Sequence, residues 1–205
     1  MTDERTIVHI VDDDAAVRDS LSLLLRTVGL PSRTYASADE FLLAYMPEEV
    51  SCLVADIRMP GLSGLELQQE LLERHADVPI IFITGHGDVP MAVNAMKCGA
   101  LDFIQKPFRD QDLLDRIHHA LQQAKAARNA RLETTTIQER FSALTPRERE
   151  VMDKVVSGCA NKVIAMDLGV SQRTVELHRA RVMQKMGVRS LAELVRLAQK
   201  GRETS

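Results

Sequence analysis

Five short runs rich in β-branched and aromatic residues alternate with five amphipathic stretches across residues 7–122, and this alternation limits the folds open to the chain more than any other feature. The runs are residues 7–11, 32–35, 52–55, 80–84 and 101–104; the helical stretches are 15–28, 38–44, 64–75, 89–98 and from Gln111 onward. In the first helix Val17, Leu21, Leu24, Leu25 and Val28 recur at three- and four-residue spacing before Gly29 ends it. Strands separated by helices pair in parallel through right-handed crossovers. The expected fold class is therefore α/β, an open doubly wound parallel sheet of five strands whose ligand site lies outside the carboxyl ends of the strands.

Beyond residue 124 the chain changes character. Residues 1–124 hold 10 Lys and Arg against 20 Asp and Glu, whereas residues 125–205 hold 16 against 9. A basic C-terminal part on an acidic N-terminal part suits a molecule of which only the tail meets a polyanion. The segment 121–132 is rich in helix formers, so the fifth helix is expected to run on into a helical linker, 123–141, interrupted at Thr134, Thr135 and Thr136. The tail is then all helical. Thr145-Pro146-Arg147-Glu148 has the form of a capping box with Pro at the first helical position, and Ser190-Leu191-Ala192-Glu193 repeats the box. Between them, residues 161–168 form a short helix ended by Gly169, and Ser171 caps a longer one that runs to Met186 before Gly187. This is a helix-turn-helix outline.

Other classes fall away. The apolar stretches at 78–83 and 21–25 are far short of the roughly 20 residues a membrane helix needs. The opening Met1-Thr2-Asp3-Glu4-Arg5 has no apolar signal region, so the expected location is cytoplasmic. Cys52, Cys98 and Cys159 fit no metal knuckle or redox pair and are expected to be reduced, buried small hydrophobes.

The chemistry gathers at the strand ends. Asp12, Asp13 and Asp14 follow the first strand, with Asp14 expected to cap the next helix, and Asp56 follows the third. In a doubly wound sheet both sets reach one edge, where carboxylates repel unless a hard cation such as Mg²⁺ joins them with water and phosphate oxygens. Thr84 ends the fourth strand and Lys106 follows the fifth. A hydroxyl and an ammonium at those places can donate to a phosphoryl group and offset its charge. Pro107 fixes the turn that aims the lysine, through a cis peptide bond if the turn requires one.

Ile10-Val11-Asp12-Asp13, Asp56-Ile57-Arg58-Met59-Pro60-Gly61 with Gly64, Ile83-Thr84-Gly85 and Lys106-Pro107-Phe108 resemble the receiver domain of two-component response regulators, of flavodoxin/CheY-like fold, over residues 5–122. The resemblance implies that Asp56 is the phosphoacceptor, attacking a phosphohistidine as a carboxylate nucleophile. It further implies Mg²⁺ held by Asp12, Asp13, Asp56 and the backbone carbonyl of Arg58, with Thr84 and Phe103 as a switch pair. A phosphatase of the haloacid dehalogenase type would place a second Asp two residues after the nucleophile; Arg58 stands there. The chain is accordingly expected to be a regulator and not an enzyme.

The tail, through Leu144-Thr145-Pro146-Arg147-Glu148, Asn161-Lys162-Val163-Ile164-Ala165 and Ser171-Gln172-Arg173-Thr174-Val175-Glu176-Leu177-His178, resembles the LuxR-type helix-turn-helix of the NarL/FixJ subfamily over residues 142–203, within a domain expected at 142–205. Val175, Val182 and Met186 share one helical face and should be core, while Arg173, Glu176, Arg179 and Arg181 project elsewhere. Such a helix can enter a major groove, with its basic residues on phosphates and Glu176 or Leu177 near base edges. Lys162, Thr174 and His178 read as backbone clamps. Glu176 makes sense near DNA as an acceptor from a cytosine amino group.

The whole resembles a transcription regulator that a sensor histidine kinase phosphorylates, and that then forms a homodimer on double-stranded promoter DNA and acts with RNA polymerase. Within the subfamily, the run from Ile83 to Val93 and the Gly99-Ala100-Leu101-Asp102-Phe103-Ile104 segment are most similar to FixJ-type members. That implies a FixL-like kinase and nitrogen-fixation or microaerobic genes. The competing reading is a signalling adaptor whose tail binds protein.

Overall fold

A computed structural model describes residues 6–85 and 89–203; expectations touching Arg5, His86, Gly87, Asp88 and Ser205 lie outside the described residues. The chain forms two compact units, Met1–Arg128 and Asn129–Ser205. The first contains β1 (Thr6–Val11), α1 (Ala15–Thr27), β2 (Ser32–Tyr35), α2 (Ala38–Ala44), β3 (Val50–Asp56), α3 (Gly64–Glu73), β4 (Ile80–Thr84), α4 (Val89–Lys97), β5 (Asp102–Gln105) and the start of α5 (Asp110–Ser142). The five strands are all parallel in the order β2-β1-β3-β4-β5. The order reverses between β1 and β3, so the crevice predicted for a doubly wound sheet opens where Asp12, Asp13 and Asp56 stand.

Strand alternation divides the core in two. Val8, Ile10, Cys52, Val54, Ile81, Ile83 and Ile104 pack with Leu21 and Leu25 of α1 and Leu113, Ile117 and Leu121 of α5. Val11, Leu53, Ala55 and Phe82 pack on the other face with Phe41 of α2, Leu67 and Leu71 of α3 and Ala95 of α4. Asp14 caps α1, accepting from the Ala16 amide at 2.8 Å. β5 lies one residue later than expected, and Leu101 instead donates its amide to Ile80 at 2.8 Å ahead of the strand. The Lys106–Pro107 bond is cis.

His9 breaks the apolar pattern of β1. It is fully buried, with Nδ1 3.1 Å from the Tyr35 hydroxyl and its ring edge-on to Phe41 and Tyr45. Burial lowers its pKa from 6.5 to about 4, outweighing the opposite pull of Glu49. The unfolded chain therefore binds a proton at a higher pH than the folded one. Stability present above pH 6.5 should fall, by about 3 kcal/mol, as the pH drops from 6.5 to 4. The protein has two tyrosines and no tryptophan, and both Tyr35 and Tyr45 lie in this unit. Urea midpoints followed by tyrosine fluorescence should fall over that pH range in the wild type and flatten in His9→Phe; an unchanged slope in the variant would remove His9 as the cause.

The second unit is helical: the end of α5, then α6 (Pro146–Val156), α7 (Asn161–Leu168), α8 (Gln172–Met186) and α9 (Leu191–Glu203). Leu144, Val151, Met152, Val155, Ile164, Val175, Val182, Met186 and Leu194 form its core, including the three α8 residues expected there. The Thr145–Glu148 capping box forms in full. Ser190 accepts from the Glu193 amide, but Glu193 reaches back to the Arg189 amide and not to that of Ser190.

Two expectations are corrected. The threonine run does not interrupt α5, which is helical throughout; Thr136 turns its hydroxyl to the Leu132 carbonyl at 2.8 Å, and burial of Ile137 next to it outweighs the low propensity of the run. Of the cysteines, all free, only Cys52 is buried; Cys98 and Cys159 are half-exposed because they stand in the connections after α4 and α6, Cys159 packing against the edge of the helical core.

Candidate functional site

The acidic edge is built by three strand ends and one turn. Asp12 follows β1 and is buried; Asp13 beside it is exposed; Asp56 ends β3 and is half-buried. One oxygen from each of the three carboxylates lies within 4.8 Å of the others. Opposite oxygens of an octahedral Mg²⁺ stand about 4.2 Å apart, so this all-oxygen set fits that ion with little closure. Lys106, carried by the turn after β5, places Nζ 2.9 Å from Asp12 Oδ2. Desolvation raises the Asp56 pKa; Lys106 opposes that, and Asp12 and Asp13 add to it. The Ile57 amide donates to Asp56 Oδ1 at 3.0 Å.

Thr84 is buried at the end of β4, and Lys106 donates its amide to the Thr84 carbonyl at 2.8 Å. Phe103 is half-buried, opposite Phe82 in the β4–β5 register, and packs against the core that holds α3 and α4. Arg58, two residues past Asp56, has an exposed side chain. The structure thus brings Asp12, Asp13, Asp56 and Lys106 together, with Thr84 one backbone bond from the lysine.

Sequence reasoning missed two participants. Arg18 Nη1 donates to the carbonyls of Asp12 and Asp13, at 2.6 and 3.0 Å, holding the turn that carries both acids. Its signal was its place four residues after the Asp14 cap, which turns an α1 side chain back toward the strand end. Gln68, buried on α3, donates to the carbonyls of Ala95 and Cys98 at 3.1 and 3.0 Å and so ties α3 to the end of α4. Nothing in its spacing distinguished it from a surface glutamine.

On the helix-turn-helix, Lys162 of α7 and Arg173, Glu176, Leu177 and Arg181 of α8 are exposed, Leu177 at 51%. Thr174 is half-buried, its hydroxyl 2.8 Å from that of the cap Ser171. His178 is half-buried, with Nδ1 enclosed and unpaired. Arg179 departs from expectation: it is half-buried and donates to Asn161 Oδ1 at 2.7 Å. Glu148 does more than cap α6. It is buried and accepts from Lys185 of α8 at 2.6 Å, and that bond, ahead of the Thr145 amide, lowers its pKa to about 2.

The profile of the response regulator receiver domain matches residues 8–118, more than half of the chain. The chain belongs to the response regulators. This response regulator also matches the bacterial regulatory proteins of the luxR family over residues 142–198, so it is a two-component regulator with a LuxR-type DNA-binding domain. It is 48% identical to Nodulation protein W of Bradyrhizobium diazoefficiens over 95% of this chain and 86% of that one. Its identity to the transcriptional regulatory protein FixJ of Azorhizobium caulinodans is 49%, over 93% and 90% of the two chains. With the response regulator protein TodT of Pseudomonas putida it shares 42%, over 98% and 88%. Among solved structures, the response regulator StyR superposes with a TM-score of 0.92 at 47% identity, over 96% of this chain and 99% of that one. Among the described residues no helix is long and apolar enough to cross a membrane.

Proposed function

We propose that a sensor histidine kinase phosphorylates this response regulator on Asp56, and that the phosphorylated form dimerises and binds promoter DNA. The observation that carries the reading is the convergence of Asp12, Asp13 and Asp56 within 4.8 Å, with Lys106 2.9 Å from Asp12. In this reading Asp12, Asp13, Asp56 and the Arg58 carbonyl hold Mg²⁺, which supplies charge neutralisation for phosphoryl transfer. Asp56 is the nucleophile, Lys106 offsets charge on the phosphoryl oxygens, and Thr84 donates its hydroxyl to one of them. Phe103, next to Thr84's strand, turns inward as Thr84 moves. A shift from 1:99 to 99:1 in favour of the active form requires about 5.5 kcal/mol of differential stabilisation. Incubation with a small phosphodonor and Mg²⁺ should add one phosphoryl mass to the wild type and none to Asp56→Asn; label in the variant would reject Asp56.

The domains in this reading are a receiver at 5–122, a helical linker at 123–141 and the DNA-binding domain at 142–205. Lys162, Thr174 and His178 hold the DNA backbone, Arg173 and Arg181 meet phosphates, and Glu176 and Leu177 face base edges. The dimer recruits RNA polymerase, and the protein works in the cytoplasm.

A groove of about 590 Å³ between α1 and the turn after β5, lined by Val17, Ser20, Leu23, Leu24, Lys106 and Phe108, is the surface on which the kinase docks in this reading. Leu23 is 60% exposed there. Leu23→Glu is expected to slow phosphotransfer from the kinase about 10-fold while leaving labelling by a small phosphodonor unchanged. Equal slowing of both would place Leu23 outside the docking surface.

The 49% identity to FixJ supports a FixL-like kinase and nitrogen-fixation or microaerobic promoters, activated by the dimer. The 42% identity to TodT over nearly the same span supports only the shared two-component chemistry. Phosphotransfer rates from each candidate kinase, compared under one condition, decide between these settings. The adaptor reading predicts no salt-dependent duplex binding, which phosphate contacts require.

A further inference from the structure

The bearing of Arg179 on α8 separates it from the residues expected to meet DNA. At 100° per residue, Val175, Arg179, Val182 and Met186 fall on one stripe of the helix, and Arg179 lies about 160° around from Leu177. Val175, Val182 and Met186 are the buried residues of α8. The Arg179 side chain lines the same small core void as Val151, Met152, Val155, Val182, Met183 and Leu194. Its guanidinium ends on Asn161 Oδ1 at 2.7 Å.

Asn161 is the first residue of α7, and the cap before it, Ala160, offers no side-chain bond to the helix. The two helices of the motif are joined through the turn at Gly169, Val170 and Ser171 and share one core, where Ile164 and Ala165 of α7 lie in the same cluster as Val175 and Val182 of α8; the Arg179–Asn161 bond adds a polar tie at the start of α7. An arginine stem packed in the core and a guanidinium held by an amide together fix the angle at which α8 leaves α7. We propose that Arg179 is a positioning residue that acts through Asn161 to set the presentation of α8, and that it makes no phosphate contact. The proposal rests on the reading that α8 is the element that binds DNA.

The test uses the full chain with Mg²⁺ and beryllofluoride, and two probes: a duplex enriched from a randomised library by the wild type, and sonicated genomic duplex. Arg179→Met is expected to weaken the enriched duplex about 10-fold, leave the sonicated duplex within about 2-fold, and leave the slope of log affinity against log salt unchanged. Asn161→Ala should act in the same sense with the guanidinium charge still present, and the double variant should be no weaker than the weaker single one. A slope reduced by about 0.9 per protomer in Arg179→Met, equal losses on both probes, or additive losses in the double variant would each overturn the proposal. If Arg179→Met does not fold, as judged by helical circular dichroism, Asn161→Ala decides alone, and unchanged affinity there overturns it. Failure of the wild type to bind either duplex would instead defeat the DNA-binding reading itself.

Discussion

Gly64→Ala is expected to lower the stability of the receiver by about 3 kcal/mol and to abolish phosphorylation at Asp56. Gly64 opens α3 and donates its amide to Ile57 at 2.9 Å, so α3 starts directly against the end of β3. A β-carbon at this position would stand 2.3 Å from the Asp56 carbonyl oxygen and 3.0 Å from Ile57 Cα and the Phe82 ring. Two of these three atoms belong to the backbone, so no side-chain rotation relieves the contact. Either the Asp56 peptide moves, which displaces the carboxylate from Asp12 and Asp13, or α3 retreats and loses the Gly64 amide bond to Ile57 next to it. Urea unfolding followed by tyrosine fluorescence should show a midpoint lower by about 1.5 M, from a slope of about 2 kcal/mol per molar. A midpoint within about 0.3 M of wild type, with normal labelling, would mean that the close approach does not constrain the site.

Lys106→Met comes next in expected size. Asp12 is 1% exposed, its carboxylate accepts from Lys106 at 2.9 Å and from the Asp14 amide at 2.9 Å, and two further carboxylates crowd it. Removing the ammonium leaves a buried anion without its cation, a change worth about 2–3 kcal/mol once the partial exposure of Lys106 is discounted. Mg²⁺ should stabilise the variant more than the wild type, because the ammonium no longer offsets the charge of Asp12. Phosphorylation by a small phosphodonor should slow about 100-fold, since the charge that would meet the phosphoryl oxygens is gone. Unfolding with and without millimolar Mg²⁺, together with the labelling rate, checks both parts. Wild-type labelling in a destabilised variant would confine Lys106 to a structural role.

The legible part of the molecule was what repeats or caps. Periodicity located every strand of the sheet to within about two residues, because β-branched runs between helices have few other uses. The caps at Asp14, Thr145 and Ser171 followed from residue types that satisfy free amides at a helix start. The acidic site was legible because parallel topology delivers every strand end to one edge. Contacts that depend on packing between distant elements left no trace in the spacing: Gln68 across to α4, Lys185 onto Glu148, and Arg179 onto Asn161. Arg179 shows why. Its charge suggests solvent and DNA, but its stem is long and apolar enough to lie in the core while the guanidinium finds an amide. The threonines at 134–136 mislead because a low helix propensity is a weak prior that tertiary packing overrides, and Ile137, directly after them on α5, is buried.

In the proposed function one carboxylate, that of Asp56, couples the receiver to the DNA-binding domain. Light scattering and duplex binding on a promoter pool, measured together with Mg²⁺ and beryllofluoride in the wild type and in Asp56→Asn, test it most directly. The expected result is a monomer that becomes a dimer and binds specific DNA only in the treated wild type. A treated wild type that stays monomeric and gains no affinity for DNA, or an Asp56→Asn protein that responds like the wild type, would contradict it.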